Sequence, residues 1–227
     1  MSDAAATSAP LSAHTQPPAP ENESGVIKRV AVSSFLGNFI EWFDYATYSY
    51  FATIIAAVFF ASEDPTVALI STFAVFAVSF VMRPVGALFW GSLGDKKGRK
   101  WALSVSIFLM SGATFLIGCL PTYEMIGLGA PLLLLVLRMV QGFSAAGEYA
   151  GAATFLAEYA PSDKRGLYCS IVPASTSVGL LVGSMLATFM TIFLAGDAVL
   201  AWGWRIPFLL AGPLGLVAHY IRTRLED

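Results

Sequence analysis

Charge, histidine and cysteine are all scarce in this sequence. Only 12% of its 227 residues are Lys, Arg, Asp or Glu, about half the share in a soluble domain, so there is too little charge to cover a globular surface facing water. The two histidines, His14 and His219, stand near opposite ends of the chain. Neither a Ser–His pair nor a histidine metal cluster can be assembled inside the apolar segments, which argues against an enzyme. The two cysteines, Cys119 and Cys169, have no metal-ligand spacing and no sign of a disulfide framework; they read as small apolar fillers. No metal, cofactor or nucleic-acid partner is expected. Nothing reads as the selectivity filter of a channel.

Apolar residues are present in excess. They make up 56% of the chain, and the mean hydropathy is +0.69. Several runs of roughly twenty apolar residues predict an all-α polytopic membrane protein, with the lipid bilayer as its solvent. Residues 1–25, rich in Ala, Ser, Thr and Pro, read as a disordered tail. Residues 26–225 read as a six-helix bundle, with spans at about 28–60, 66–90, 101–120, 131–157, 168–195 and 206–221.

The stretch Gly91–Lys100 sets the orientation. It reads as a short basic loop between two apolar spans and belongs on the cytoplasmic side. Lys28, Arg29, Lys96, Lys97, Arg99, Lys100, Lys164, Arg165, Arg222 and Arg224 then share that side, and Arg205 alone lies opposite. Arg83 and Arg138 fall within spans. Both termini are expected in the cytoplasm and the chain in the plasma (inner) membrane.

Ionisable residues inside spans are costly and mark function. At about 100° per residue, Asn38, Glu41, Asp44, Tyr45 and Tyr48 share one face of the first span, within about 120°. Arg138, Gln141 and Glu148 share about 80° of the fourth. The expectation is a polar cavity in which a carboxylate takes up a proton when desolvated and gives it up when Arg138 approaches. A permanent structural pair between Glu41 and Arg138 is the other reading. Gly86, Gly112, Gly118, Gly142, Gly147, Gly151, Gly179 and Gly183 read as points of close helix approach.

Gly91-x-x-x-Asp95-x-x-Gly98-Arg99-Lys100, between spans two and three, resembles the signature loop of the major facilitator superfamily. Arg138-x-x-Gln141-Gly142 resembles a second signature. Gly37-Asn38-x-x-Glu41-Trp42-Phe43-Asp44, Arg83-Pro84-x-Gly86, Gly147-Glu148-Tyr149, Ala157-Glu158-Tyr159-Ala160-Pro161 and Trp202-Gly203-Trp204-Arg205-Ile206-Pro207-Phe208 narrow the resemblance to the metabolite:proton symporter family. That family includes proline/betaine, α-ketoglutarate, citrate and shikimate carriers. The resemblance covers about residues 28–227. It implies a secondary transporter that moves a small zwitterion or carboxylate with protons, Glu41, Asp44, Arg138 and Glu148 on the path and Tyr45 and Tyr48 as candidates for substrate contact. It also implies that Asp95 and Arg99 belong to a cytoplasmic latch. The cations of that stretch can equally serve only as topology signals and lipid contacts.

Superfamily transporters have two six-span halves. This chain ends after one, so a truncated or half-length protein is expected, working with a second half or a second copy. The competing expectation is a six-helix module that folds or dimerises without moving substrate.

Overall fold

The computed structural model describes residues 23–60 and 62–224. Most of the expected tail, residues 1–22, lies outside the described residues, as do residues 225–227. The helices are α1 (Glu23–Tyr50), α2 (Ala52–Phe59), α3 (Pro65–Lys97), α4 (Arg99–Cys119), α5 (Tyr123–Ile126), α6 (Gly129–Ala145), α7 (Glu148–Tyr159), α8 (Arg165–Cys169), α9 (Ile171–Phe193), α10 (Gly196–Ala198) and α11 (Arg205–Thr223), with a π-helical turn at Val199–Gly203. Among the described residues there is no strand.

Local chemistry explains several boundaries. Asp64 caps α3 by accepting from the Thr66 amide at 2.8 Å, and Pro65, which has no N–H to leave unpaired, opens the helix. α3 then runs on to Lys97, so residues 91–97 of the expected basic loop are helical. The break is a single residue, Gly98, at φ +92°, where a side chain would be strained. The first expected span is interrupted at Phe51, and the fourth at Ala146–Gly147 between α6 and α7.

Among the described residues, five helical stretches are long and apolar enough to cross a membrane: Pro65–Lys97, Arg99–Cys119, Gly129–Tyr159, Arg165–Phe193 and Gly196–Thr223. The first expected span is not one of them. Its polar residues, Asn38, Glu41 and Asp44 above all, dilute its hydropathy, and the other helices enclose it. Apolar side chains such as Ile70, Val81 and Leu88 of α3 point outward, as expected where the surroundings are lipid or another helical unit.

Three helix pairs dominate the packing: α1 with α9, α3 with α6, and α4 with α11. They are the first and fifth, second and fourth, and third and sixth hydrophobic stretches. Exchanging the first three stretches for the last three maps this set of pairs onto itself. Glycines permit each close approach. A Cβ on Gly142 would lie 1.8 Å from the Ser79 carbonyl oxygen, one on Gly215 2.0 Å from Ser111 Oγ, and one on Gly183 2.7 Å from Ala46 Cβ. Gly112 departs from expectation, because a Cβ there would meet nothing within 4 Å.

One end of the bundle is basic. Arg29 donates to the Arg224 carbonyl at 3.3 Å, and Lys97, Arg99 and Lys100 from the α3–α4 junction border one cavity of ≈ 860 Å³ with Glu158, His219 and Thr223. The other end gathers Thr66, Tyr123 and Glu124, and there Arg205 donates to the Gly118 and Leu120 carbonyls at 2.8 and 2.6 Å, satisfying the end of α4.

Candidate functional site

The polar face of α1 is wholly internal. Asn38, Glu41, Asp44, Tyr45 and Tyr48 are all buried, as are Arg138, Gln141 and Glu148. Each must find partners on other helices, because an unpaired buried polar group costs about 1–3 kcal/mol and an unpaired charge more. The partners divide these residues into separate sites.

Asp44 faces α6. Arg138 Nη1 donates to its Oδ2 at 2.5 Å and Gln141 Nε2 to its Oδ1 at 3.2 Å, while Gln141 also donates to Thr114 Oγ1 of α4 at 2.6 Å. The guanidinium of Arg138 lies over the Tyr48 ring, 3.8 Å from its centre. Tyr48 in turn donates to the Thr72 carbonyl at 3.0 Å. Six helical positions on four helices thus form the network around one ion pair. The sequence expectation that α1 and α6 present polar faces to each other holds here, through Asp44 rather than through Glu41.

Glu41 pairs with Arg83 of α3, whose Nη2 donates both to Glu41 Oε1 and to the Tyr45 hydroxyl. The structure therefore contradicts the pairing of Glu41 with Arg138. Arg83 was missed as a site residue, although the rule applied to α1 reaches it: it is the sole charge in the apolar run 66–90. Its guanidinium lies 4.9 Å from the centre of the Phe80 ring and 5.3 Å from that of Tyr45.

Glu148 does not share a wall with Arg138 and Gln141. Ten residues separate it from Arg138, about 15 Å of rise along the helix, so a shared angular sector does not bring the two side chains to one site. Glu148 sits in the first turn of α7 and accepts two hydrogen bonds from Arg222, at 3.0 and 2.9 Å, and one from Ser106 at 2.5 Å. Arg222 also donates to the Leu103 carbonyl at 2.7 Å and the Ser33 carbonyl at 3.2 Å. Arg222 had read as a cation at the cytoplasmic end; it is 1% exposed. Nothing in its sequence surroundings separates it from Arg224.

Asn38 ties α1 to α9, its amide nitrogen lying 2.9 Å from the Val172 carbonyl and 2.8 Å from both Ser175 Oγ and Thr176 Oγ1. At the basic end, Arg99 pairs with Glu158 of α7, both well exposed. Exposed Asp95 and Gly91 border a smaller cavity of ≈ 300 Å³ together with Arg99; Lys100 and Gly98 border the larger one. Cys119 is exposed and Cys169 half-buried, both as free thiols. Among the described residues no group of His, Cys, Asp and Glu comes together as metal ligands.

Chemically, three guanidinium–carboxylate pairs join helices that share no loop. Neutralising one member of any of these pairs would leave the other charge without its counter-charge and weaken the tie between the two helices.

Comparison with known proteins gives the same picture. The chain is 44% identical over 205 residues to a glycine betaine/proline/ectoine/pipecolic acid transporter, OusA, of Dickeya dadantii, and 42% identical to the proline/betaine transporter of Escherichia coli K12; each alignment covers 90% of this chain and 41% of the relative. Among solved structures it resembles the proton:xylose symporter XylE of the major facilitator superfamily, at a TM-score of 0.75 and 18% identity, over 88% of this chain and 45% of that one. This likeness speaks to the fold. The chain thus spans less than half the length of the relatives it matches, corresponding in fold to one half of such a transporter. The family model described as "sugar (and other) transporter" matches residues 30–227, and the chain belongs to that family.

Proposed function

We propose that the chain forms the amino-terminal six-helix half of a proton-coupled symporter for a small zwitterion or carboxylate. α1 with α2 would be the sixth span, both termini would lie in the cytoplasm, and the membrane would be the plasma (inner) membrane. The observation that carries this reading is the set of three ion pairs held between helices in a bundle whose other buried side chains, among the described residues, are uncharged. Buried pairs are poor sources of stability, because desolvation offsets most of their attraction. A membrane protein that keeps three of them uses them as exchangeable charges.

Asn38, Glu41, Asp44, Tyr45, Tyr48, Arg138, Gln141 and Glu148 are proposed to line or support the path of substrate and proton. Gly91, Asp95, Gly98, Arg99 and Lys100 are proposed to gate its cytoplasmic end, with Glu158 as the partner of Arg99. The relatives named for glycine betaine and proline favour compact zwitterions. A second half, or a second copy of the chain, would complete the passage.

The test is uptake of labelled glycine betaine, proline, α-ketoglutarate and shikimate into proteoliposomes. The chain would be used alone and fused to the carboxyl-terminal half of the Dickeya dadantii relative. Uptake that rises with an imposed proton gradient and stops when the gradient collapses is expected. Uptake indifferent to the gradient removes the proton coupling. A well-folded fusion that moves none of the four solutes favours the non-transporting module.

A further inference from the structure

Of the three ion pairs inside the bundle among the described residues, one opens outward. The Arg138–Asp44 side chains are 0% and 4% exposed and the Arg222–Glu148 side chains 1% and 0%, whereas Arg83 is 30% exposed above a Glu41 that is 2% exposed. Unpartnered buried polar atoms occur at all three pairs, Arg138 Nε and Nη2 and Arg222 Nε among them. Glu41 Oε2, Arg83 Nε and the nearby Trp42 Nε1 are buried and have no hydrogen-bond partner in the protein. Buried polar groups are nearly always paired; at Glu41–Arg83 the leftover carboxylate oxygen and guanidinium N–H belong to the one pair with a part-exposed side chain, so this is the pair that a ligand from outside can reach. Aromatic rings surround it. Tyr45 stands edge-on to Phe76 and Trp42, at 5.4 and 5.7 Å between ring centres, and Phe80 flanks the guanidinium.

We propose that Arg83 is the anchor for the substrate's carboxylate and that Glu41 holds its place when the site is empty. This deepens the transport reading and rests on it for the word substrate. A zwitterion approaching along the exposed side of Arg83 presents its carboxylate to the guanidinium and displaces Glu41. Its cationic nitrogen then meets the rings of Tyr45, Phe76 and Phe80, which suit an alkylated ammonium that cannot donate hydrogen bonds. Glu41, released into apolar surroundings with no counter-charge, takes one proton from the aqueous side, giving a neutral carboxylic acid in place of the broken ion pair. The site thereby gains one positive charge, that of the proton: the ligand carboxylate takes over from Glu41 as counter-ion to Arg83, and the ligand's own cation is stabilised, without being neutralised, by the ring faces. The Asp44–Arg138 pair is sealed and takes no direct part in the recognition.

The experiment measures binding, which is separable from transport. Glycine betaine and choline, which differ in the carboxylate, are titrated calorimetrically into the detergent-solubilised chain and the fusion, in weakly buffered solution with a pH readout. The expected result is saturable betaine binding, choline weaker by about tenfold or more, and uptake of about one proton per betaine bound, as that exchange requires. Arg83→Gln should lower betaine affinity to the choline level, and Arg83→Lys should restore part of it. Glu41→Gln should bind betaine without proton uptake. Equal affinity for betaine and choline, an unchanged Arg83→Gln, no saturable betaine binding, or loss of discrimination in Arg138→Gln alone would each overturn the assignment. If Arg83→Gln does not fold, the Arg83→Lys and Glu41→Gln measurements decide it. Intact binding and proton uptake with no transport would leave this site standing and remove the transport reading.

Discussion

Gly37 and Arg222 are in such close contact that no side chain fits between them. A Cβ on Gly37 would lie 2.6 Å from Arg222 Nη2 and 2.7 Å from Glu148 Oε2. α1 therefore lies directly on the α7–α11 ion pair, and the missing side chain sets how near it comes. Gly37→Ala is expected to lower stability by about 1–3 kcal/mol through overpacking. The unfolding midpoint of the detergent-solubilised protein reads this, and an unchanged midpoint would mean that the pair moves aside freely.

The Arg222–Glu148 pair allows a sharper test of its energetics. Glu148→Gln or Arg222→Met alone leaves a buried charge without its counter-charge, at a cost of about 3–5 kcal/mol. The combination Glu148→Leu with Arg222→Met removes both charges and should recover most of that loss. A double variant as unstable as the sum of the singles would show that Arg222's bonds to the Leu103 and Ser33 carbonyls matter more than the ion pair.

Asp44→Asn leaves Arg138 fully buried with an amide in place of its carboxylate. Stability is expected to fall by about 3 kcal/mol or more, and gradient-driven uptake by the fusion by about tenfold or more, because the sealed pair ties α1 to α6 beside the proposed path. Uptake at the original rate would remove Asp44 from the proposed path.

The glycines make a contrast. Gly142→Ala places a Cβ into the Ser79 carbonyl and should separate α3 from α6, with a loss of about 1–3 kcal/mol or failure to fold. Gly112→Ala meets open space and should be neutral or stabilising by up to about 1 kcal/mol, since alanine loses less freedom in a helix. Equal effects at the two sites would contradict the packing described here.

Glu158→Gln breaks an ion pair with both partners exposed. It should change stability by only about 0–1 kcal/mol, less in high salt. If the Arg99–Glu158 contact is a latch, the same variant should still alter the uptake rate of the fusion. A variant silent in both measurements would leave the basic end with a topological role alone.

Much of the site was legible beforehand in α1. The spacing of Asn38, Glu41, Asp44, Tyr45 and Tyr48 placed them on one face, and all five are inside. The fourth hydrophobic stretch was legible only in part, because a helical projection gives angle and not height, and Glu148 stands about 15 Å along the axis from Arg138. Arg83 carried a signal that went unused. Arg222 carried none, since a buried arginine in the last turn of a helix looks the same in sequence as a solvated one.

The order of residues along the chain determined which segments are helical and apolar, where charge is concentrated, and which faces are polar, because each follows from side-chain chemistry repeated at a fixed helical period. Which carboxylate meets which guanidinium was decided only when the helices packed. Glu41 found Arg83 and not Arg138, and Glu148 found Arg222, because ion-pair partners are chosen by approaches of a few ångströms between segments distant in sequence, and glycines such as Gly37 and Gly142 control those approaches without marking their partners.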